Sequence, residues 1–168
     1  MVGELLYDCR EMFRYACAFC ECADIVMEKS TNKQIVIGDY DIPAGVNSAF
    51  ACEVFLKAIL KLKQIDYKKE HDLKTLFSLL PTKIYNEVKS GTANNFGGMW
   101  VNAFGVEFID NVSKAFVEWR YIYEHNFLMN GSVCFEHGFL WAFRNTLRES
   151  CCQMLFRKTW EEYSKGEK

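Results

Sequence analysis

Apolar residues recur at three- and four-residue steps through one long stretch of this chain after another, and only two prolines, Pro43 and Pro81, interrupt them. Those steps return a side chain to the same face of an α-helix, whereas a half-buried strand would alternate at every second residue. Helices are therefore the elements that bury these stripes. From about Glu4 to Lys29, residues Leu5, Cys9, Met12, Phe13, Ala16, Cys20 and Met27 mark the first, and Ser30-Thr31-Asn32-Lys33 ends it. Ile35-Val36-Ile37 and Gly38 to Pro43 read as an irregular connection, with room for a short extended piece. Asn47 or Ser48 caps a second helix with Phe50, Val54, Phe55, Ala58, Ile59 and Leu62 inward and Lys57, Lys61 and Lys63 outward.

Asp72 caps a short third helix, Leu73 to Leu80, which Pro81 stops or redirects. Gly91 to Gly98, with two asparagines inside it, reads as the most flexible interior stretch. Phe104, Phe108, Val112, Phe116 and Trp119 then mark a core helix. After a turn signal at Asn130-Gly131, a last helix runs from Ser132 or Val133 to Tyr163 on Phe139, Leu140, Phe143, Leu147, Cys151 and Leu155, with a frayed tail from Ser164 to Lys168. The expected fold is all-α, an antiparallel four- to five-helix bundle over residues 1–168 as a single domain.

A net charge of -2 argues against holding nucleic acid through a broad basic surface. Six lysines between Lys57 and Lys74 are a local surplus, whose plain account is a solvated helix face. With Glu4, Asp8 and Arg10 at the start, no apolar signal segment precedes the first helix, and no stretch approaches the length that crosses a bilayer. The expectation is an intracellular, cytoplasmic protein without membrane partners. The eight cysteines read as small buried groups and reduced thiols. Cys17-Ala-Phe-Cys20-Glu-Cys22 lacks a second Cys/His pair, so neither a metal nor a cofactor is implied.

The candidate chemistry lies in Ala115 to His125, where a strongly apolar pattern carries Arg120 and, five positions on, His125. On a continuous helix those two lie about 140° apart around the axis. They act together only if the helix loosens near Glu124 or a second copy of the chain supplies the partner group. Arg120 alternatively pairs with Glu124, four residues on, or with Glu53, whose acceptors sit in an otherwise apolar helix. Tyr121 and Tyr123 either pack or stack on a splayed base. His71, just before the Asp72 cap, reads as a loop-fixing hydrogen-bonding group, and His137 stands in reserve near the start of the last helix.

Three blocks in order carry a resemblance to a known family: Asn47 to Leu60 with Glu53 and Leu56-Lys57-Ala58, then Lys69-Glu70-His71-Asp72-Leu73 with Leu76-Phe77, then Phe116-Val117-Glu118-Trp119-Arg120-Tyr121-Ile122-Tyr123-Glu124. Together they resemble the HEPN superfamily of helical-bundle proteins, in a bacterial or phage-related branch with a Trp-Arg-Tyr-x-Tyr-Glu signature. The resemblance implies a homodimer and a metal-independent endoribonuclease of toxin-antitoxin or phage-defence type, with RNA as substrate and an antitoxin or nucleotidyltransferase as the partner class. By carry-over, His125 moves the protons and Arg120 holds the scissile phosphate, leaving a 2',3'-cyclic phosphate at a dimer cleft. The chain departs from the family where Tyr121 follows the arginine and where Phe127 stands in place of a tyrosine. The alternative is a non-catalytic bundle of the same family that binds a nucleotide, RNA or a partner protein.

Overall fold

The computed structural model describes residues 2–31, 40–67, 69–96, 109–110, 112–113, 115–118 and 137–166. Seven helices lie among them: α1 (Val2–Thr31), α2 (Asp41–Leu62), α3 (Leu73–Ser78), α4 (Thr82–Asn95), α5 (Ala115–Glu118), α6 (His137–Phe156) and α7 (Trp160–Gly166). No strand occurs among the described residues. The all-α bundle expected from the stripes is what the chain forms; the irregular connection at 32–39 and the glycines at 97 and 98 lie outside the described residues.

The four longer helices alternate in direction. Asp8 meets Lys61 at 2.7 Å and Phe19 meets Phe50, so α1 and α2 run antiparallel. Arg144 reaches Ser48 while Cys151 reaches the carbonyl of Phe55, seven residues further along both helices, so α6 runs parallel to α2. Phe96 packs on Phe139 and Asn95 bonds Thr146, which sets α4 antiparallel to α6. Phe13 lies at the centre of an aromatic cluster, with Phe55, Phe156 and Tyr163 at 5.8, 5.3 and 5.5 Å between ring centroids.

Four boundaries differ from the sequence expectation, each for a local reason. α2 starts at Asp41 rather than after Asn47. Pro43 fits there because the first turn of a helix has no intrahelical acceptors for its N–H groups. Asn47 is an interior residue whose Nδ2 donates to the Pro43 carbonyl at 2.9 Å. Lys57, expected outward, is largely covered and bonded to Glu53.

Gly91 lies inside α4 rather than in a flexible loop, because α6 approaches so closely there that a Cβ would sit 2.7 Å from Thr146 Cγ2. The last helix breaks after Phe156, where Arg157 takes a left-handed φ of 57°. Thr159 and Glu162 then cap α7 reciprocally: the Thr159 N–H donates to Glu162 Oε2 at 2.8 Å and the Glu162 N–H donates to Thr159 Oγ1 at 3.2 Å. α7 continues to Gly166, so the start of the expected tail is helical.

Asp72 caps α3 as expected, accepting from the Thr75 N–H at 2.8 Å, and Pro81 stands at the entry to α4. Contrary to expectation, one helix is long and apolar enough to cross a bilayer by length and composition: α2, with a mean hydropathy of 1.3. It is the helix that α1, α3, α5 and α6 all touch, and 61% of that apolar window is buried inside the bundle. A core helix surrounded by others is apolar all round for that reason.

Candidate functional site

Arg120, Tyr121, Tyr123, Glu124 and His125 lie outside the described residues. What the structure places is their approach. α5 leads toward Arg120, and its Phe116 ring stacks on Phe50 of α2 at 4.4 Å. Just before it, Ser113 accepts from the Leu73 N–H at 3.0 Å through its carbonyl and from the Lys74 N–H at 2.9 Å through its hydroxyl. Lys74 pairs with Asp110 at 2.7 Å. The segment that runs into Arg120 is thus pinned to α2 and to the start of α3.

Glu53 sits beside this junction, 2% exposed on α2. Its Oε1 takes both Lys57 Nζ and His71 Nδ1, each at 2.8 Å. A buried carboxylate must be paired, and these two cations or donors from α2 and the α3 entry meet that need. Lys57 also lies 5.7 Å over the Tyr67 ring. Glu53 Oε2 has no hydrogen-bond partner among the described residues. His71 therefore ties a loop to a core helix, as its position before the cap suggests.

The other buried charge is Arg144 on α6, 1% exposed. Its Nη2 donates to Asp24 Oδ1 at 2.6 Å, and its Nη1 donates to Ser48 Oγ at 3.1 Å and to the Cys20 carbonyl at 3.4 Å, joining α1, α2 and α6. Its Nε has no partner among the described residues. The stripe read from the sequence steps over this residue. The signal is nonetheless present: Arg144 lies four residues after Leu140 and three before Leu147, on the buried face itself.

No family model, curated protein or solved structure matches the chain. The site must therefore be argued from its own chemistry. Among the described residues, no three or more His, Cys, Asp or Glu side chains gather as a metal set. Cys17, Cys20 and Cys22 are free thiols on α1, with Cys20 buried and Cys22 exposed. Burial pushes the Cys20 and Cys152 thiols up to about 11, and lifts Cys17, Cys52 and Cys151 above the ordinary thiol range. Protonated thiols of this kind are poor nucleophiles and poor ligands. His137 opens α6.

Two of the concave features among the described residues bear charged side chains beside aromatic ones. A groove of about 520 Å³ between α1 and the α6–α7 corner is lined by Leu6, Phe156 and Tyr163 together with Arg10, Arg157 and Lys158. Arg10 lies 5.3 Å over the Phe156 ring. A smaller pocket of about 230 Å³ opens between α1, α2 and α6, lined in part by Asp24, Ser48, Trp141 and Arg144.

Proposed function

We propose that the protein is a metal-independent endoribonuclease of the HEPN type, acting in a toxin or phage-defence setting. Arg120 binds the scissile phosphate and His125 transfers the protons. RNA supplies its own 2'-hydroxyl nucleophile, so a proton-transferring imidazole and a fixed cation suffice for cleavage to a 2',3'-cyclic phosphate. The observation that carries this reading is the convergence of the three sequence blocks that resemble the family. Glu53 of the first bonds His71 of the second, and Phe116 of the third stacks on Phe50 of the first. The all-α bundle supports it as well. Two protomers pool their Arg120 and His125 groups at a shared cleft, since five residues along a continuous helix would set the two about 140° apart.

The test is incubation of the purified protein with structured and single-stranded RNA in the presence of chelator, beside folded Arg120→Ala and His125→Ala variants. Cyclic-phosphate ends from the wild type, with at least a hundredfold loss in both variants, are expected for a general acid–base pair. Intact RNA after incubation with folded wild-type protein would sink the nuclease reading.

A second reading is favoured by the groove bearing Arg10, Arg157 and Lys158: a bundle of the same family that binds RNA without cutting it. Three cations beside two aromatic rings in one groove suit a phosphate backbone with an unstacked base. RNA retention that weakens with salt and with charge reversal at Arg10 and Lys158, without cleavage, distinguishes it from the first.

A further inference from the structure

α1 turns Cys9, Phe13, Ala16, Cys20 and Ala23 into the core along its 30 residues. Its opposite side carries Glu11, Tyr15, Ala18, Cys22, Ile25 and Lys29 at alternating steps of four and three, the spacing that keeps one seam in line between two paired helices. Tyr15 and Ile25 leave 64% and 53% of their surface open, and Ala18 and Cys22 between them are exposed as well. The middle of the stripe is therefore free of charge, whereas the outer face of a helix in water is ordinarily polar. Glu11 closes the stripe at one end and Lys29 at the other. A contiguous apolar face bounded by charges in this way marks a contact surface.

The order of these residues is complementary to itself when the helix is reversed. We infer that α1 packs antiparallel on the α1 of a second copy of the chain, with Tyr15 against the partner's Ile25, Ala18 against the partner's Cys22 and Glu11 against the partner's Lys29. Each pair then occurs twice about a two-fold axis, and the small residues at the middle let the helices approach closely. Arg14 and Glu21, one position before Tyr15 and Cys22, line one edge of the seam, and both are exposed. Antiparallel helices bring that edge against its own copy, so Arg14 faces the partner's Glu21. Glu21 and Lys29 make no ion pair among the described residues, and Arg14 holds only the exposed end of Glu11, at 2.8 Å. A parallel pair would instead set Glu11 on Glu11 and Lys29 on Lys29, like charges that repel. From Glu11 to Lys29 the contact runs about 27 Å. A single helix pair of that length is a modest interface, so association depends on concentration. The contact uses neither Arg120 nor His125 and stands whether or not the chain cuts RNA.

The test is disulfide trapping of the full chain with diamide, beside sedimentation over a range of micromolar concentrations. Ala18→Cys puts a thiol opposite the partner's Cys22 and is expected to yield a covalent dimer on a non-reducing gel. Neither the wild type nor Ala18→Cys combined with Cys22→Ser should yield one. In sedimentation, Ile25→Asp, at an exposed position, is expected to weaken association about tenfold. Arg14→Glu and Glu21→Arg are each expected to weaken it by roughly three- to tenfold, and the two together to restore it, a rescue that only direct pairing across the seam gives. Trapping of the wild type through Cys22 alone would indicate a parallel pair and overturn the assignment. So would folded Ala18→Cys protein that does not trap, or a combined charge variant that associates no better than either single one. A dimer that survives Ile25→Asp would also overturn it and leave the Arg120 cleft as the contact between copies, whereas loss of RNA cleavage alone bears only on the nuclease reading.

Discussion

Arg144 and Glu53 are the two fully buried ionic side chains among the described residues, and they solve the problem of burial differently. Glu53 collects two donors on one oxygen, from its own helix and from the loop before α3. Arg144, on α6, spreads its donors over two other helices, α1 and α2, and its counter-ion Asp24 reaches solvent. Removing a partner from a buried charge costs more than replacing the charge itself, because the survivor stays desolvated. Asp24→Ala is thus expected to lower stability by about 2–3 kcal/mol, the low end for such a pair because Asp24 is half exposed. Arg144→Met, of similar length and apolar, should stay within about 1 kcal/mol of wild type. Urea unfolding of both variants checks this ordering, and a larger loss in Arg144→Met would show that the guanidinium is the essential tie. Glu53 was legible in the sequence as a carboxylate in need of a partner, because most neighbours on its helix face are apolar, Lys57 four residues on being the exception. Its partner across the loop was not, since His71 lies 18 residues away and its contact depends on how the loop returns to α2. Arg144 was hidden for the opposite reason: an arginine on a stripe is easily read as a solvated residue at the stripe's edge.

At the scale of elements, signals that act within one turn were legible and those that depend on a neighbouring helix were not. Asp72 caps α3 through a bond to a residue three positions on, so its role follows from local chemistry. Arg157 is neither glycine nor asparagine, and nothing in its identity announces a left-handed residue; the folding back of Trp160 and Tyr163 onto Phe13 is what holds the corner. Gly91 looks like a loop former until the close approach of Thr146 is seen. That contact gives a prediction with two opposed terms. An alanine in a helix interior gains about 1 kcal/mol over glycine, whereas overpacking typically costs about 1–3 kcal/mol. Thr146 cannot easily turn aside, because its Oγ1 donates to the Ala142 carbonyl at 2.9 Å and accepts from Asn95 at 2.9 Å. Gly91→Ala should therefore destabilise, by about 1–2 kcal/mol, and Thr146→Ser, which deletes the clashing methyl and keeps the hydroxyl, should recover most of that loss. Thermal melts of the two single variants and the double variant measure the coupling.

At the scale of the whole molecule, the helix faces that meet in the core carry thiols where larger apolar side chains would otherwise stand. Cys9, Cys20, Cys52, Cys151 and Cys152 are all buried, drawn from α1, α2 and α6. Burial is the leading cause of the upward shift at Cys17, Cys20, Cys52, Cys151 and Cys152, because a thiolate in that core would lose its hydration. The consequence for folding has a definite sign. Below a free thiol's ordinary value of about 8.5, both the folded and the unfolded chain hold these protons, and the stability they contribute is complete. Above it the unfolded chain releases protons that the folded core retains, up to about 11 at Cys20 and Cys152, so each step in pH favours unfolding. The melting temperature should accordingly hold level from pH 7 to about 8.5 and begin to fall between about pH 8.5 and 9.5, before most lysines and tyrosines titrate. Cys20→Ala, which removes one proton from the balance, should make the fall shallower while leaving the curve below pH 8.5 displaced but equally flat. A melting temperature independent of pH across that window would mean that the thiols are not held protonated by a dry core, and that the three helix faces meet more loosely than their packing implies.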